Sequence, residues 1–337
     1  MFTNNHEITN GQFVLECMHK AYRSIHEGVS KNGQYPNHTN EGTASNYQEE
    51  IKDYINSDKP FMMARFGSIE LYAFINWLQV NNKLIDSEKY SPLKYVTDQC
   101  FPNWFSIGTR NGMSNNAGFF PTTDECLEKW GKLVFDNLKD LDVLLTWQKG
   151  ERYIQSYLKG KQRILNSEIY NPYYYKNPWS EALRGKKVLV VSPFAKTIES
   201  QYFNNRDKLF KDKRVLPEFE SLQTVKAYNV LGGNNHYSDI HNWFDALDIM
   251  EDEISSKDFD VALIGCGAYA FNLAAYIKQM GKKAITLCGS LQCLFGIYGN
   301  RYEKAFKESG LLNEYWVRPG DDEKPEGYQK VENGAYW

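Results

Sequence analysis

Three short apolar runs in the second half of the chain, separated by helical patterns, constrain the fold most. The runs KKVLVVS, DVALIG and KKAITLC lie at 186–192, 260–265 and 282–288. Unbroken apolar strands are typical of a parallel sheet that helices cover on both faces. The segment SDIHNWFDALDIMEDEI repeats its apolar residues at helical spacing. The sequence therefore predicts an α/β fold with a Rossmann-like, mostly parallel sheet and right-handed crossovers, built as one sheet or as two smaller ones packed together.

Further elements of both kinds are expected along the rest of the chain. The segments FMMARF, WFSIG, LDVLLTW, QRILN and LQTVKAYNV read as strands, and the polar stretch TRNGMSNNAGFFPTT at 109–123 reads as a loop. We divide the chain into an N-terminal helix and loop extension (1–45), a Rossmann-like domain (46–320) and a C-terminal tail (321–337). The connector 171–185, rich in proline and aromatic residues, could mark a boundary inside that domain.

Composition limits the class of protein and its location. The formal net charge of −3 provides no basic field for a nucleic-acid backbone, so we expect no nucleic-acid partner. No window approaches the roughly 18 consecutive apolar residues of a spanning helix. The first residues lack a signal-peptide pattern, and the six cysteines include no CxxC pair. These features predict a cytoplasmic protein with reduced thiols.

The corner RFGSIE joins an apolar strand to a helix and concentrates unusual residue types. Gly67 permits a close approach of ligand, and Ser68 is placed to cap the helix, whose first amides form an anion site. Arg65 and Glu70 add a cation and a carboxylate within the same turn. The alternative is an ordinary capped helix in which Arg65 pairs with Glu70.

Two later corners also follow buried strands. In SPFAKTIES, Ser192, Lys196 and Thr197 begin a helix and could hold a phosphate, although a proline-started helix with a solvated lysine explains the pattern equally well. GCGAYA, with Gly265 and Gly267, satisfies the G-x-G-x-x-A dinucleotide fingerprint. The carboxylate expected about 20 residues later is replaced by TLCGS. We therefore expect close backbone packing or a phosphate approach at these glycines.

A polar loop supplies the remaining candidates. Asn115 and Asn116, with Arg110 nearby, lie in a stretch long enough to be functional or to form a structural Ω-loop. The segment LQCLFGIYGNRY, which ends near Arg301, has the same two interpretations. No zinc-type spacing of His and Cys occurs, and no G-x-S-x-G elbow supports a serine hydrolase.

FMMARFGSIEL, VALIGCGAYAFNLAAYIKQMGKKAI and GSLQCLFGIYGNRY with the later YWVRP resemble segments of bacterial GT-D-type glycosyltransferases, in a layout that spans about residues 50–320. The resemblance implies a nucleotide-sugar donor and a glycan or lipid-linked acceptor in surface polysaccharide or glycoprotein glycan synthesis. It leaves open a peripheral association with the inner face of the membrane. It implies Glu70 and Arg65 as catalytic residues. The expected donor-binding residues are Gly67, Ser68, Arg110, Asn115, Asn116, Ser192, Lys196, Thr197, Gly265 and Gly267.

The chain departs from that family at one position. The family corner Arg-Phe-Gly-Asp-Gly-Glu carries an Asp-x-Glu pair associated with metal, and Ser68 stands here in place of the Asp. Glu70 could still hold Mn²⁺ or Mg²⁺ together with the donor phosphates. In a metal-free site, Arg65, Lys196 and helix amides would offset the phosphate charge while Glu70 acts as general base. Other candidate bases are Glu199, His236 and Asp239.

Two other classes of function remain as alternatives. An NAD(P)- or S-adenosylmethionine-dependent enzyme would use Gly265 and Gly267, although the missing carboxylate counts against NAD. A nucleotide- or sugar-binding protein without catalytic activity is conceivable because Ser68 removes half of the metal pair. Donor turnover and cofactor binding distinguish these classes.

Overall fold

The computed structural model describes residues 8–26, 44–85, 87–165, 169, 171–228, 230, 235, 237–325, 327–331 and 333–337. Its described strands form one seven-stranded sheet in the order β3–β2–β1–β7–β6–β4–β5, and all paired neighbours are parallel. The strands are β1 Phe61–Ala64, β2 Val143–Thr146, β3 Gln162–Leu165, β4 Lys187–Ser192, β5 Ser221–Lys226, β6 Val261–Ile264 and β7 Lys283–Thr286. The predicted α/β, Rossmann-like class is confirmed, as a single sheet.

Helices cover both faces of this sheet. The described α-helices are α1 Asn10–His26, α2 Ala44–Asn56, α3 Ser68–Val80, α4 Pro92–Val96, α5 Ile107–Asn116, α6 Asp124–Asn137, α7 Ala195–Leu209, α8 Trp243–Ser255, α9 Ala270–Gln279, α10 Leu291–Leu294 and α11 Asn300–Glu308. A 3₁₀ helix, Lys149–Leu158, follows β2. None of the helices in the described ranges has the length and apolarity needed to cross a membrane.

Alternation along each strand divides the apolar core into two layers. In β1, Met62 and Ala64 pack with α3, α6, α8 and α9, whereas Phe61 and Met63 face the layer that contains α2 and α7. Trp77 of α3 is a central member of the first layer. Because strands buried on both faces cannot tolerate polar side chains, these positions read as continuous apolar runs in the sequence.

Two predicted elements differ from the structure. WFSIG was expected to be a strand, but Ser106 ends the extended stretch and caps α5 by accepting a hydrogen bond from the Thr109 amide at 3.0 Å. The stretch 109–123 was expected to be a loop, but its first half is helical through Asn116. Capping chemistry at Ser106 therefore overrides the β-propensity of the aromatic residues that precede it.

The position of β1 matters most for function. It lies in the middle of the sheet, with Met63 in register with Val143 of β2 and with Ile285 of β7. The carboxyl ends of all parallel strands lie at one edge of the sheet. The corners predicted from the sequence therefore lie along one edge, where open α/β sheets bind ligands.

Candidate functional site

A cavity of about 480 Å³ lies beyond the carboxyl ends of β1, β4, β6 and β7. It brings together most of the residues that the sequence singled out. The predicted residues that line it are Arg65, Gly67, Ser68, Glu70, Asn116, Ser192, Gly265 and Gly267. The corner after β1 contributes four of these eight residues, so it dominates this wall of the cavity.

The backbone of the β1–α3 corner is held by the segment after β2. The Phe66 carbonyl accepts hydrogen bonds from Trp147 Nε1 at 2.9 Å and Gln148 Nε2 at 3.0 Å. Ser68 was predicted to be the N-cap, but Gly67 occupies that position, and Ser68 is the first residue of α3. Gly67 offers no side-chain cap, and the Glu70 carboxyl group binds the Glu70 amide, so the Ser68 and Ile69 amides are the candidate donors to an anionic group.

The Glu70 carboxyl group folds back over Gly67. A Cβ atom on Gly67 would overlap the carboxyl oxygens of Glu70, so glycine is required for this arrangement. Burial raises the pKa of Glu70, while a hydrogen bond from its own backbone amide and the nearby Arg65 guanidinium act in the opposite direction. The proton affinity of Glu70 is therefore higher than that of an ordinary glutamate.

Arg65 is positioned by two neighbouring strands. Its backbone amide donates to Thr286 Oγ1 in β7 at 3.0 Å, and its guanidinium lies over the Trp147 ring, 4.3 Å from the centroid. Arg65 also lowers the pKa of the Cys288 thiol, whose net shift is upward because of burial. Arg65, Glu70 and Cys288 are therefore close enough to interact electrostatically.

The glycines of GCGAYA make close backbone contacts inside the protein. A Cβ on Gly265 would lie 2.5 Å from the Cys288 carbonyl oxygen. Gly267 has a φ of +56°, and a Cβ there would lie 2.8 Å from the Ala117 carbonyl oxygen. That same oxygen accepts a hydrogen bond from the Ala268 amide at 3.1 Å. Packing between neighbouring corners thus accounts for both glycines, which was one of their two predicted roles.

The predicted phosphate site at the start of α7 holds a carboxylate of the protein itself. Glu323 accepts hydrogen bonds from the Lys196 amide at 2.8 Å, from the Thr197 amide at 3.3 Å and from Thr197 Oγ1. The Lys196 side chain pairs with Asp322. Of the predicted residues in this segment, Ser192 lines the cavity and Lys196 and Thr197 do not. The carboxylate satisfies the amides that a phosphate would otherwise need.

Other predicted residues lie away from the cavity. Arg110 is 2% exposed and donates to the Phe105 carbonyl at 3.2 Å and the Thr122 carbonyl at 2.5 Å, besides pairing with Asp124. Its contacts tie α5 to the segment before α6, which is a structural role. Asn115 is exposed and is not among the described residues that line the cavity.

Two of the three alternative bases, Glu199 and Asp239, lie away from the cavity that holds Glu70. Glu199 accepts a hydrogen bond from Thr224 Oγ1 at 2.6 Å, and Asp239 is exposed. Neither lines the cavity. His236 lies outside the described residues.

The sequence did not identify the aromatic and basic residues that complete the cavity wall. These residues are Trp147, Tyr228, Arg301, Tyr336 and Trp337. Arg301 Nη1 donates to the Tyr336 hydroxyl at 2.8 Å, and Gln292 Nε2 donates to the Tyr336 carbonyl at 3.1 Å. The motif LQCLFGIYGNRY carries Arg301 and a further lining residue, Gln292, so this motif was the signal in the sequence that could have located them.

The described lining of this site offers one side-chain carboxylate to a divalent cation. Mg²⁺ usually keeps several waters and is bound through one or two carboxylates together with substrate phosphates. Among the described residues, no group of three or more His, Cys, Asp or Glu could hold a metal ion, and Glu70 is the one carboxylate in the described cavity lining.

Comparisons with known proteins place few constraints on the chain. No family model and no curated protein matches it. One solved structure, described as "Selenomethionine substituted structure of domain of unknown function 1792 (DUF1792)", is similar over 78% of this chain and 86% of its own, with 14% identity and a TM-score of 0.32. A similarity at that level supports no conclusion about the chain.

Glu323→Gln should destabilise the protein, because the substitution removes the charge that satisfies the first amides of α7. We expect a loss of about 1–3 kcal/mol in the free energy of unfolding, measured by urea denaturation. Asp321→Asn is the matched control, since Asp321 is 97% exposed and pairs with Lys324 at the surface. Equal stability of the two variants would contradict this role of Glu323.

Proposed function

We propose that the chain is a glycosyltransferase that moves a sugar from a nucleotide-sugar donor to a glycan or lipid-linked acceptor, in bacterial surface polysaccharide or glycoprotein glycan synthesis. One observation carries the proposal. Arg65, Glu70 and the uncapped start of α3 converge on a single cavity at the carboxyl edge of the sheet. The resemblance of the RFGSIE corner to GT-D-type enzymes supplies the reaction class.

The cavity supports a specific arrangement of the donor. Its volume of about 480 Å³ falls within the range of small-molecule sites. The amides of α3 and the guanidinium groups of Arg65 and Arg301 provide positive charge for a diphosphate. Trp147 and Tyr228 offer aromatic faces for a nucleobase or a sugar ring. Donor binding therefore needs no cation other than those of the protein.

The transfer step assigns one role to each charged residue of the corner. Glu70 takes the proton of the acceptor hydroxyl, and that oxygen forms a bond to the anomeric carbon of the donor sugar. The bond between this carbon and the diphosphate oxygen breaks, and its electron pair leaves with the nucleoside diphosphate. Arg65 offsets the negative charge that develops on the departing diphosphate. A raised proton affinity makes Glu70 a stronger base than an ordinary carboxylate.

The experiment that tests the function is a thermal-shift screen with UDP, GDP and related nucleotides, repeated with Mn²⁺ and with EDTA. We expect at least one nucleoside diphosphate to raise the melting temperature, and the rise to persist in EDTA. NAD and S-adenosylmethionine serve as the competing ligands. Stabilisation by one of those two and by no nucleoside diphosphate would overturn the proposal.

Glu70→Gln should abolish sugar transfer while preserving donor binding. Removal of a general base typically costs about 10²–10⁴-fold in rate. The measurement is turnover of the nucleotide sugar identified by the screen, followed by nucleoside diphosphate release. Glu314→Gln is the matched control, because it makes the same change at an exposed position. Normal turnover by Glu70→Gln would refute its assignment as base.

The pH dependence of transfer should report the raised pKa of Glu70. The base acts only when ionised, so kcat/KM should rise with pH along a limb whose midpoint lies above the ordinary glutamate value of about 4.3. Arg65 lowers this pKa. Arg65→Gln should therefore move the midpoint to higher pH, in addition to lowering the rate. A midpoint that stays in place or moves to lower pH would contradict the coupling between the two residues.

A further inference from the structure

A second and larger cleft adjoins the donor cavity. Its volume is about 890 Å³, and it lies between α1, α3, the start of α5 and the 3₁₀ helix Lys149–Leu158. Ser68 and Ile69 line both the cleft and the donor cavity. The wall between the two spaces is therefore the first turn of α3, the turn that also carries Glu70. A molecule in the cleft and one in the cavity would therefore lie on two sides of this turn.

A strip of aromatic side chains lines the cleft. Tyr72 of α3 lies 6.4 Å from Phe101 between ring centroids, and Phe101 meets the Tyr153 ring edge-on at 5.1 Å. Tyr72 is 47% exposed even though it lies on a helix whose other aromatic residues are buried. Rings that combine an apolar face with a hydroxyl group suit ligands with both apolar and polar surface, such as sugar rings.

The charge of the cleft is opposite in sign to that of the whole chain. Its described lining contains the basic residues Lys20, Arg23, Lys149 and Arg152 and the acidic residues Glu16 and Asp98. This is an excess of two positive charges in a protein whose formal net charge is −3. Clefts lined by one sign of charge concentrate ligands of the opposite sign.

Both acidic side chains of the cleft already have partners within the protein. Glu16 accepts hydrogen bonds from Trp104 Nε1 and the Ile107 amide, each at 2.9 Å. Asp98 lies 3.8 Å from Arg23 and 3.7 Å from His19. Lys149 and Arg152 are the basic residues on the other wall of the cleft, which the 3₁₀ helix Lys149–Leu158 forms.

Arg152 is also held in place beside the aromatic strip. Its Nη2 atom donates to the Tyr153 hydroxyl at 2.7 Å, and its guanidinium lies over the Tyr153 ring, 4.6 Å from the centroid. Stacking of this kind orients a guanidinium while leaving donors in its plane for an anion. The combination of a fixed cation and aromatic faces is selective for a sugar that carries a negative group.

We propose that this cleft binds the acceptor and that the acceptor is an anionic saccharide, carrying either a phosphate or a uronate group. The inference rests on the proposed glycosyltransferase function, since it assigns the second substrate of that reaction. The saccharide lies along Tyr72, Phe101 and Tyr153, with its negative group at Lys149 and Arg152. Its reacting hydroxyl reaches Glu70 past Ser68.

Direct binding tests the cleft without relying on turnover. The probes are a geranyl diphosphate-linked N-acetylglucosamine, a glucuronic acid-containing disaccharide and the neutral disaccharide diacetylchitobiose, titrated calorimetrically against the full chain. We expect at least one anionic probe to bind at least tenfold more tightly than diacetylchitobiose. The anionic probe that binds more tightly shows whether the negative charge of the acceptor comes from a lipid diphosphate or from an acidic sugar.

Variants then locate the binding site. The double variant Lys149→Gln/Arg152→Gln should weaken the anionic probe at least tenfold and change diacetylchitobiose binding less than twofold. Tyr72→Ala should weaken all saccharides that bind. Lys304→Gln is the control for the loss of a positive charge elsewhere on the surface, because Lys304 is 88% exposed on α11 and is not part of the cleft lining. All substituted side chains are exposed or partly exposed, so the variants should retain the fold.

The possible outcomes separate the two proposals. Stabilisation by a nucleoside diphosphate without preferential binding of an anionic saccharide would overturn the cleft assignment and leave the proposed function standing. Preferential binding that disappears in the double variant would support the cleft even if no nucleotide stabilises the chain. Equal loss of binding in the double variant and in Lys304→Gln would also overturn the cleft assignment, because the loss would then not depend on the position of the charge.

Discussion

The pairing of β1 with β7 is the contact on which the site depends. Met62 lies opposite Ala284 and Met63 opposite Ile285, so the early and late parts of the chain share a register in the middle of the sheet. This register places the Arg65 amide against Thr286 and brings the corner after β1 beside the segment after β7. Two of the segments that line the cavity therefore lie side by side because of this strand pair. Slippage by one residue would exchange the side chains that face the two core layers and would move the Arg65 amide away from Thr286.

The C-terminal segment completes the cavity through polar contacts that are individually small. Glu323 binds the start of α7, and the Trp337 indole donates to the Glu323 carbonyl at 3.4 Å. Arg318 donates to the Trp337 carbonyl at 2.6 Å. Because Trp337 lines the cavity, the carboxylate that caps α7 also supports a wall of the proposed donor site. The helix terminus that was predicted to be a phosphate site instead anchors the C-terminal segment, which lines the cavity.

Much of the fold was predictable because local patterns decide it. Strands buried on both faces read as apolar runs, and helices between them read as amphipathic repeats, so seven of eight predicted strands are present. The exception, WFSIG, is not a strand because one hydroxyl group at Ser106 caps a helix.

The corner with Arg65 and Glu70 was also predictable, since each strand end in a parallel sheet is a candidate position. The positions of Tyr336 and Trp337 in the cavity were not predictable, because they follow from long-range packing that leaves no local pattern. Arg110 illustrates the same limit, since only its burial against two carbonyls shows that it is structural.

The β1–α3 corner carries one carboxylate, Glu70, whereas the GT-D-type corner that it resembles carries two. With Ser68 in place of an acid, Glu70 has no second carboxylate beside it in the described cavity lining, and no like charge from such a neighbour raises its pKa further. Its proton affinity is set instead by burial against Gly67 and by Arg65. Its raised proton affinity suits this carboxylate to the proposed role of proton acceptor. Ser68 lines both the cleft and the cavity, where an acidic side chain would add a second negative charge beside Glu70.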